Sequence, residues 1–325
     1  MAKVTEALDT YTAKGIREDL SDVIYNISPE ETPFVSAVGK RSVSNTKFEW
    51  QTEALPTVAT TAQIEGNAVA TAAPTNTVRC SNQCQILVRS AAVTGTQAAI
   101  NRAGVSDAMA HQVALLSRAM KRDVETLMLG NSIVNTGNAT TARTTAGLSS
   151  YVATNCPVTH SGSPSNPTDT SGGTDARGEG TDRTLTEAIL KVVMKSCFDN
   201  SGDQPSMIMV GSAQKQIISG FAGRASATSV VALPSKADEV QANVSVYIGD
   251  FGTYTVHANR FQRAGDGWLI NPEYAKVAQL RGVEVSELGT TGDATSRFIT
   301  WEGGLQVDNE AAHGLVADIN PYTLN

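Results

Sequence analysis

The sequence predicts an α+β protein, and three observations predict it. Two alternating runs flank a long segment of Ala, Thr, Val and Gly between residues 46 and 95. One long amphipathic helix is written between 106 and 129, and short helical and strand-like segments interleave from 185 to 301. A period of two marks strands and a period near 3.6 marks helices. With 325 residues, 41% of them hydrophobic, the chain has ample material for a large core.

Residues 1–45 read as an arm. A polar amphipathic start is followed by Pro29 and Pro33, which punctuate Ser28 to Phe34 and disfavour helix or central strand there because proline lacks a backbone donor. From Lys47 to Glu53, Phe48 and Trp50 share one strand face, and Lys47, Glu49 and Gln51 the other. The run Val78 to Val88 alternates again, setting Val78, Cys80, Cys84, Ile86 and Val88 against Arg79, Ser81, Gln83, Gln85 and Arg89. A long hairpin is the simplest joint reading. Arms of about 20 residues would reach about 65 Å at ~3.3 Å per residue. A compact globule of this length is only about 50 Å across. Such a hairpin has to project, fold back or lie on a neighbour.

The spine of the protein is expected at 106–129, where Val105, Met109, Val113, Leu116, Met120, Val124 and Leu127 form one stripe. Ser106 can cap its start, and Gly130 with Asn131 supplies the stop, which gives a rod of about 36 Å. Residues 155–183 read as a surface loop or domain junction too polar to pack, since 22 of the 29 are Gly, Pro, Ser, Thr, Asn or Asp. Beyond it, Leu185 to Phe198 and Ala213 to Phe221 read as helices around a buried strand, Met207 to Val210. Val244 to Ile248 and Thr253 to Ala258 form a hairpin about Gly249, Asp250, Phe251 and Gly252. Ala275 to Leu280 and Phe298 to Trp301 are further strands.

Charge and cysteine usage exclude several classes. A net charge of -7 speaks against tight nucleic-acid binding, which needs dense Lys and Arg. Any contact with nucleic acid should be loose. The acidity is concentrated at the end of the chain, where residues 284–325 carry seven acids against the single base Arg297. Four cysteines (Cys80, Cys84, Cys156, Cys197) are too few for a disulfide scaffold and lack zinc-site spacing, so reduced thiols are expected. No apolar run reaches the ~18 residues of a membrane helix, and Met1 to Val4 does not open a signal peptide, so synthesis in a cytoplasm follows.

Chemical motifs give way to plainer readings. Asp250, Phe251 and Gly252 match a kinase magnesium tripeptide, but the catalytic loop and glycine-rich loop that must accompany it are missing, and a hairpin turn explains it. Asp199, Ser201 and Asp203 imitate a calcium loop, yet Gln204 stands where glycine is needed and Val210 where glutamate is needed; a helix-ending turn is the reading. His111, His160, His257 and His313 are dispersed and joined to no nucleophile or metal motif. Cys80 and Cys84 read as small buried side chains. Two basic clusters, Lys40 with Arg41 and Arg118 with Lys121 and Arg122, could touch phosphate, although on an acidic chain they read first as solvated or ion-paired faces. No residue is assigned a catalytic, cofactor-binding or metal-ligating role, and no cofactor is expected.

The order of arm, hairpin, spine helix, α/β unit and acidic strand-rich end resembles that of the major capsid proteins of tailed bacteriophages with the Hong Kong 97-type fold. The stretches that carry the resemblance are Glu31 to Phe34 (ETPF), Lys47 to Glu53 (KFEWQTE), Glu65 to Asn67 (EGN), Arg118 to Gly130 (RAMKRDVETLMLG), Val210 to Phe221 (VGSAQKQIISGF) and Val246 to Arg260. It implies an N-terminal arm (1–45), an extended loop (46–95), a peripheral domain with the spine helix (96–154), a surface loop and axial domain (155–285), and C-terminal strands of the peripheral domain (286–325). It implies hexamers and pentamers of identical chains closing into an icosahedral shell around double-stranded DNA, in a virion assembled in the bacterial cytoplasm. A portal, and scaffolding or decoration proteins, would be the other partners, with no membrane involved. Lys47, Glu49, Glu53, Glu65, Arg79 and Arg89 become candidate intersubunit contacts. Two departures matter. Some members weld neighbours through a lysine of the extended loop, but here no lysine occurs from 48 to 120. Some begin with a cleaved scaffolding region, whereas here the arm starts almost at Met1, so scaffolding is expected from a separate protein. The competing readings are an encapsulin-like cargo compartment of the same fold and a hydrolase with a dispersed active site.

Overall fold

The computed structural model describes residues 31–56, 58, 62–68, 74–100, 105, 107–221, 245–289 and 292–320. The arm's residues 1–30 therefore lie outside the described residues, as do Ser106 and much of the stretch between Pro56 and Pro74. Its first described element is a short helix, α1 (Pro33–Ala37), where the sequence argued against one. Pro33 occupies the opening helical position, at which an N–H would have no intrahelical partner, so its missing donor costs nothing.

Strand β1 (Gly39–Ser42) follows, then β2 (Lys47–Thr52) and β3 (Val78–Gln83), which pair antiparallel from Lys47↔Gln83 to Thr52↔Val78. Phe48 and Trp50 face inward as predicted, with 5% and 8% of their surface exposed. The paired arms, however, are six residues long, not about 20. The run 78–88 does not belong to one strand either. It breaks at Cys84, whose N–H donates to the Thr46 carbonyl at 2.7 Å, and resumes as β4 (Gln85–Thr94) in a different sheet. Val78, Ile86 and Val88, expected inside, are exposed because the two halves of the run face different neighbours.

After α2 (Gly95–Ala99), the spine helix is α3 (Ala108–Met128). The Asp107 carboxylate caps it, accepting from the N–H groups of Met109 (2.8 Å) and Ala110 (3.1 Å). Met109, Met120 and Val124 of the predicted stripe are buried, and Val113, Leu116 and Leu127 pack against the core. The helix ends where Gly130 and Asn131 signalled. Gly147 abuts this end so closely that a Cβ there would lie 2.0 Å from the Gly130 carbonyl oxygen.

Residues 155–183 hold no long helix or strand and most of them stay at least partly exposed, as a surface loop does, but several polar side chains pin the segment to the body. Their polar side chains replace water with backbone. Asn155, fully buried, donates to the carbonyls of Ala311 (2.6 Å) and His313 (2.9 Å), and Asn166 donates to those of Ala153 (2.8 Å) and Cys156 (2.6 Å). Arg177 N–H meets Asn131 Oδ1 at 2.9 Å, and its guanidinium is bonded to Asp318. A segment too polar for an apolar core is thus anchored by hydrogen bonds to backbone carbonyls and to Asp318.

The α/β unit is close to its sequence reading: α4 (Glu187–Asn200), β5 (Met207–Val210), α5 (Ser212–Ser219), then the hairpin β6 (Val246–Gly249) and β7 (Gly252–Ala258) turning through Asp250 and Phe251. Ser201 follows the last residue of α4, as a helix-ending turn requires. Next come β8 (Gly267–Ile270), the 14-residue strands β9 (Ala275–Leu288) and β10 (Ala294–Val307), and β11 (Gly314–Val316).

Three sheets result: β1-β9-β10-β4, β11-β8-β5-β7-β6 and the β2-β3 ribbon. The strands β5, β8 and β11 of the five-stranded sheet are buried on both sides. Met209, Trp268, Ile270 and Leu315 join a core with α1, α3, β2, β3, β9 and β10. Their sequence neighbours Ile208, Val210, Leu269 and Val316 join a second core with α4 and α5. The period-two alternation of β5, β8 and β11 divides each of them between the two cores.

Candidate assembly surface

The ribbon β2-β3 is fixed at its foot and bare at its tip. Trp50 Nε1 donates to the Val307 carbonyl at 2.7 Å, and its ring lies 6.0 Å from those of Phe48 and Tyr151. The Tyr151 hydroxyl donates to the Ser81 carbonyl at 2.9 Å. The Asn82 amide, buried, donates to the carbonyls of Leu305 (2.7 Å) and Ala146 (3.2 Å), while its oxygen accepts from the N–H groups of Ala146 (2.9 Å) and Gln83 (2.8 Å). Beyond Thr52, every described residue from Glu53 to Arg79 is exposed. Leu55 and Val58 are 92% and 102% exposed and Ile64 is 82% exposed. A turn follows, in which Asn67 N–H donates to the Ile64 carbonyl at 3.0 Å and Gly66 takes φ +82°, a conformation that favours glycine. Where this segment leaves the ribbon, Glu53, Ala54, Val78, Cys80 and Tyr151 line a cavity of about 270 Å³.

The four-stranded sheet adds exposed edges. Among the described residues β4 pairs with β10 on one side only, and β1 covers just Lys276–Gln279 of β9, leaving Arg281–Leu288 with no partner on that side. Ile86, Val88, Val283, Val285 and Leu288 are exposed on these strands. Unpaired edges of this length recruit strands from other chains.

The six residues expected at intersubunit contacts are not brought into one cluster. Glu49 holds Lys47 at 2.9 Å and Arg79 at 3.4 Å across the ribbon, and the hydrogen bond from Lys47 keeps its carboxyl below the usual range. Arg89 grips Asp123 of α3 through two bonds of 2.5 and 2.7 Å. Glu53 lines the cavity, Glu65 sits in the exposed turn, and neither forms an ion pair among the described residues. The histidines stay apart. His160 Nε2 is 2.8 Å from Asp318, while His313 is buried, with Nδ1 3.4 Å from the Asn271 N–H. All four cysteines are free and buried, and burial pushes Cys84 up to about 11 and Cys197 up to about 12.

Two groups escaped the sequence reading. Glu125, wholly buried in α3, accepts from the N–H groups of Phe34 and Val35 at 2.8 Å and from Asn259 Nδ2 at 2.7 Å. It thereby caps α1 from another helix and ties it to the loop after β7. Its position between Val124 and Met128, on the apolar stripe, was the available signal. The second is the set Arg177, His160 and Asp318, which ties 155–183 to the end of the chain, with Arg263 bridging Glu179 of that segment to Asp266. Long-range pairings of this kind leave no local pattern.

The chain was compared with known proteins. The SU10 major capsid protein family model matches residues 3–320. The major capsid protein of Escherichia phage Phieco32 is 33% identical over 121 residues, 37% of this chain and 34% of that protein, so the chain spans about a third of this curated relative. Among solved structures, the cyanophage A-1(L) capsid asymmetric unit superposes with a TM-score of 0.68 at 11% identity, covering 96% of this chain and 99% of the other. A native GTA particle capsid gives 0.62 at 10% identity over 97% and 100%. Microbacterium phage Oxtober96 gives 0.60 at 12% identity over 94% and 96%. The structural likeness shows the Hong Kong 97-type fold, and the family match spans nearly the whole sequence: the chain belongs to the SU10 major capsid protein family.

Proposed function

We propose that this chain self-assembles, as hexamers and pentamers, into an icosahedral shell that encloses double-stranded DNA in a virion put together in the bacterial cytoplasm. The observation that carries the reading is the bare segment beyond Thr52, whose described residues are exposed without exception as far as Arg79. Covering a Leu, Val or Ile side chain stabilises by roughly 1.5–3 kcal/mol. A neighbouring subunit supplies that cover when the segment drapes over it. In this reading the four-stranded sheet with α3 is the peripheral part, the five-stranded sheet with α4 and α5 is the axial part, and residues 46–95 are the extended arm. The family match favours a phage capsid over a cargo compartment. A portal, with scaffolding or decoration proteins, would complete the partners.

The arm works without a covalent weld in this reading, because no lysine follows Lys47 until residue 121. Deletion of Pro56 to Pro74 tests the role. The variant should keep its helical content and cooperative unfolding but sediment as monomers or small rings under conditions where the full chain forms shells. Intact particles from the deletion would refute the draping role, and a full chain that stays monomeric at high concentration, with and without a co-expressed scaffold, would refute the shell itself.

A further inference from the structure

Arg118, Lys121 and Arg122 lie within little more than one turn of α3. Offsets of three and four residues place Arg118 beside the other two on one side of the helix. Arg118 and Lys121 are exposed and Arg122 is half-buried. The Arg122 guanidinium carbon lies 6.0 Å from the centre of the Phe261 ring, which brings the exposed neighbour Arg260 to the same surface. Arg260 also shares with Ser212, the first residue of α5, the lining of a polar cavity of about 180 Å³. The positive end of that helix dipole therefore adds to the patch.

The two acids on this stretch of α3 are engaged elsewhere. Asp123 is held by Arg89, and Glu125 points inward to Phe34 and Val35. Lys121 and Arg260 form no salt bridge among the described residues. On a chain of net charge -7, a side that gathers four cations is an exception. The cations are spread over an open surface, and the one aromatic ring among them lies beneath a guanidinium. That arrangement suits a row of backbone phosphates better than stacked, unpaired bases.

We propose that this face of α3, with Arg260, is where the subunit touches packaged double-stranded DNA, binding phosphates without reading bases. The inference rests on the shell reading above and adds which surface faces the duplex. Three or four phosphates per subunit hold weakly, and repetition over a shell gives a lining that DNA can still slide past.

The test uses the full chain, kept unassembled, and a random 30-base-pair duplex, with binding followed from 25 to 100 mM salt. Neutralising four phosphates gives a log–log slope of about -3.6, so wild-type affinity should fall about 150-fold over that range, and Lys121→Ala/Arg260→Ala should fall only about 12-fold. Lys191→Ala, on α4, should behave as wild type, and Lys121→Arg/Arg260→Lys should restore the wild-type slope. Salt-independent binding, or a double alanine variant indistinguishable from wild type, would overturn the inference. Particle formation is followed in parallel by sedimentation. A double variant that loses assembly but keeps duplex affinity would make the patch a subunit contact and overturn the inference while leaving the shell reading standing. A wild-type chain that forms no particles would strike the shell reading instead.

Discussion

Glu125 illustrates a residue whose job is set by geometry that the sequence displays only indirectly. A carboxylate on the buried stripe of a helix has to be satisfied or removed, and here three donors satisfy it. Burial nevertheless raises its pKa, opposed by the three hydrogen bonds. Glu125→Gln keeps the shape but turns an NH₂ toward at least one N–H donor, and should cost about 2–3 kcal/mol in urea unfolding; a change below about 0.5 kcal/mol would show that the cap is dispensable. Asp266 and His313 pull the pH profile in opposite directions. Burial raises Asp266 from 3.8 to about 6, so the folded chain takes up its proton first and acidification through that window adds stability. Arg263 and Arg177 oppose that shift, while Asp318 and Glu179 reinforce it. Burial lowers His313 from 6.5 to about 4, so the unfolded chain takes up its proton first and acidification removes stability. Each gap corresponds to about 3 kcal/mol, and the two nearly cancel. Asp266→Asn removes one side of the balance. Between pH 6.5 and 4 the variant should lose about 3 kcal/mol more than wild type, while at pH 8 it should be the more stable of the two. Unfolding titrations at pH 4, 6 and 8 decide it, and parallel profiles would refute the opposition.

Among the elements, the spine helix, the β5 strand and the β6-β7 hairpin were legible because each carries its own period and its own boundary residues. Phe48 and Trp50 were legible for the same reason. The break at Cys84 was not, since β3 and β4 alternate nearly in phase and a period of two does not say which strand lies alongside. The anchors of the 155–183 segment were not legible, because composition counts apolar atoms, and this segment is held by hydrogen bonds between positions far apart in sequence. Asn82 belongs with it. Three bonds through one buried amide join the ribbon to Ala146 and Leu305, and a fourth is accepted from Gln83. Asn82→Ala strands several buried backbone groups at once and should destabilise by about 3 kcal/mol. If unfolding midpoints are unchanged, the ribbon is held by Phe48, Trp50 and the Tyr151–Ser81 bond without Asn82. Substituting Glu65 in the bare turn, by contrast, should leave monomer stability within about 0.5 kcal/mol.

For the whole molecule, order mattered more than identity. The solved capsids reported above are only 10–12% identical to this chain, yet the succession of ribbon, spine helix, α/β unit and long acidic strands was visible in the sequence. The candidate contacts were less legible. In the proposed shell a surface made for a neighbour has no partner within its own chain, so the sequence would mark it only by apolar side chains without a periodic face, such as Leu55, Val58 and Ile64. Deletion of Pro56 to Pro74 separates these two kinds of information, since folding should survive and closure should not.

The five-stranded sheet has one more consequence. Because alternate side chains of β5, β8 and β11 enter different cores, neither core can melt while the other remains intact. The subunit therefore has no soft seam between its two halves. In the proposed shell, DNA pressing outward would meet tiles that do not bend within themselves, and strain would pass to the joints between tiles.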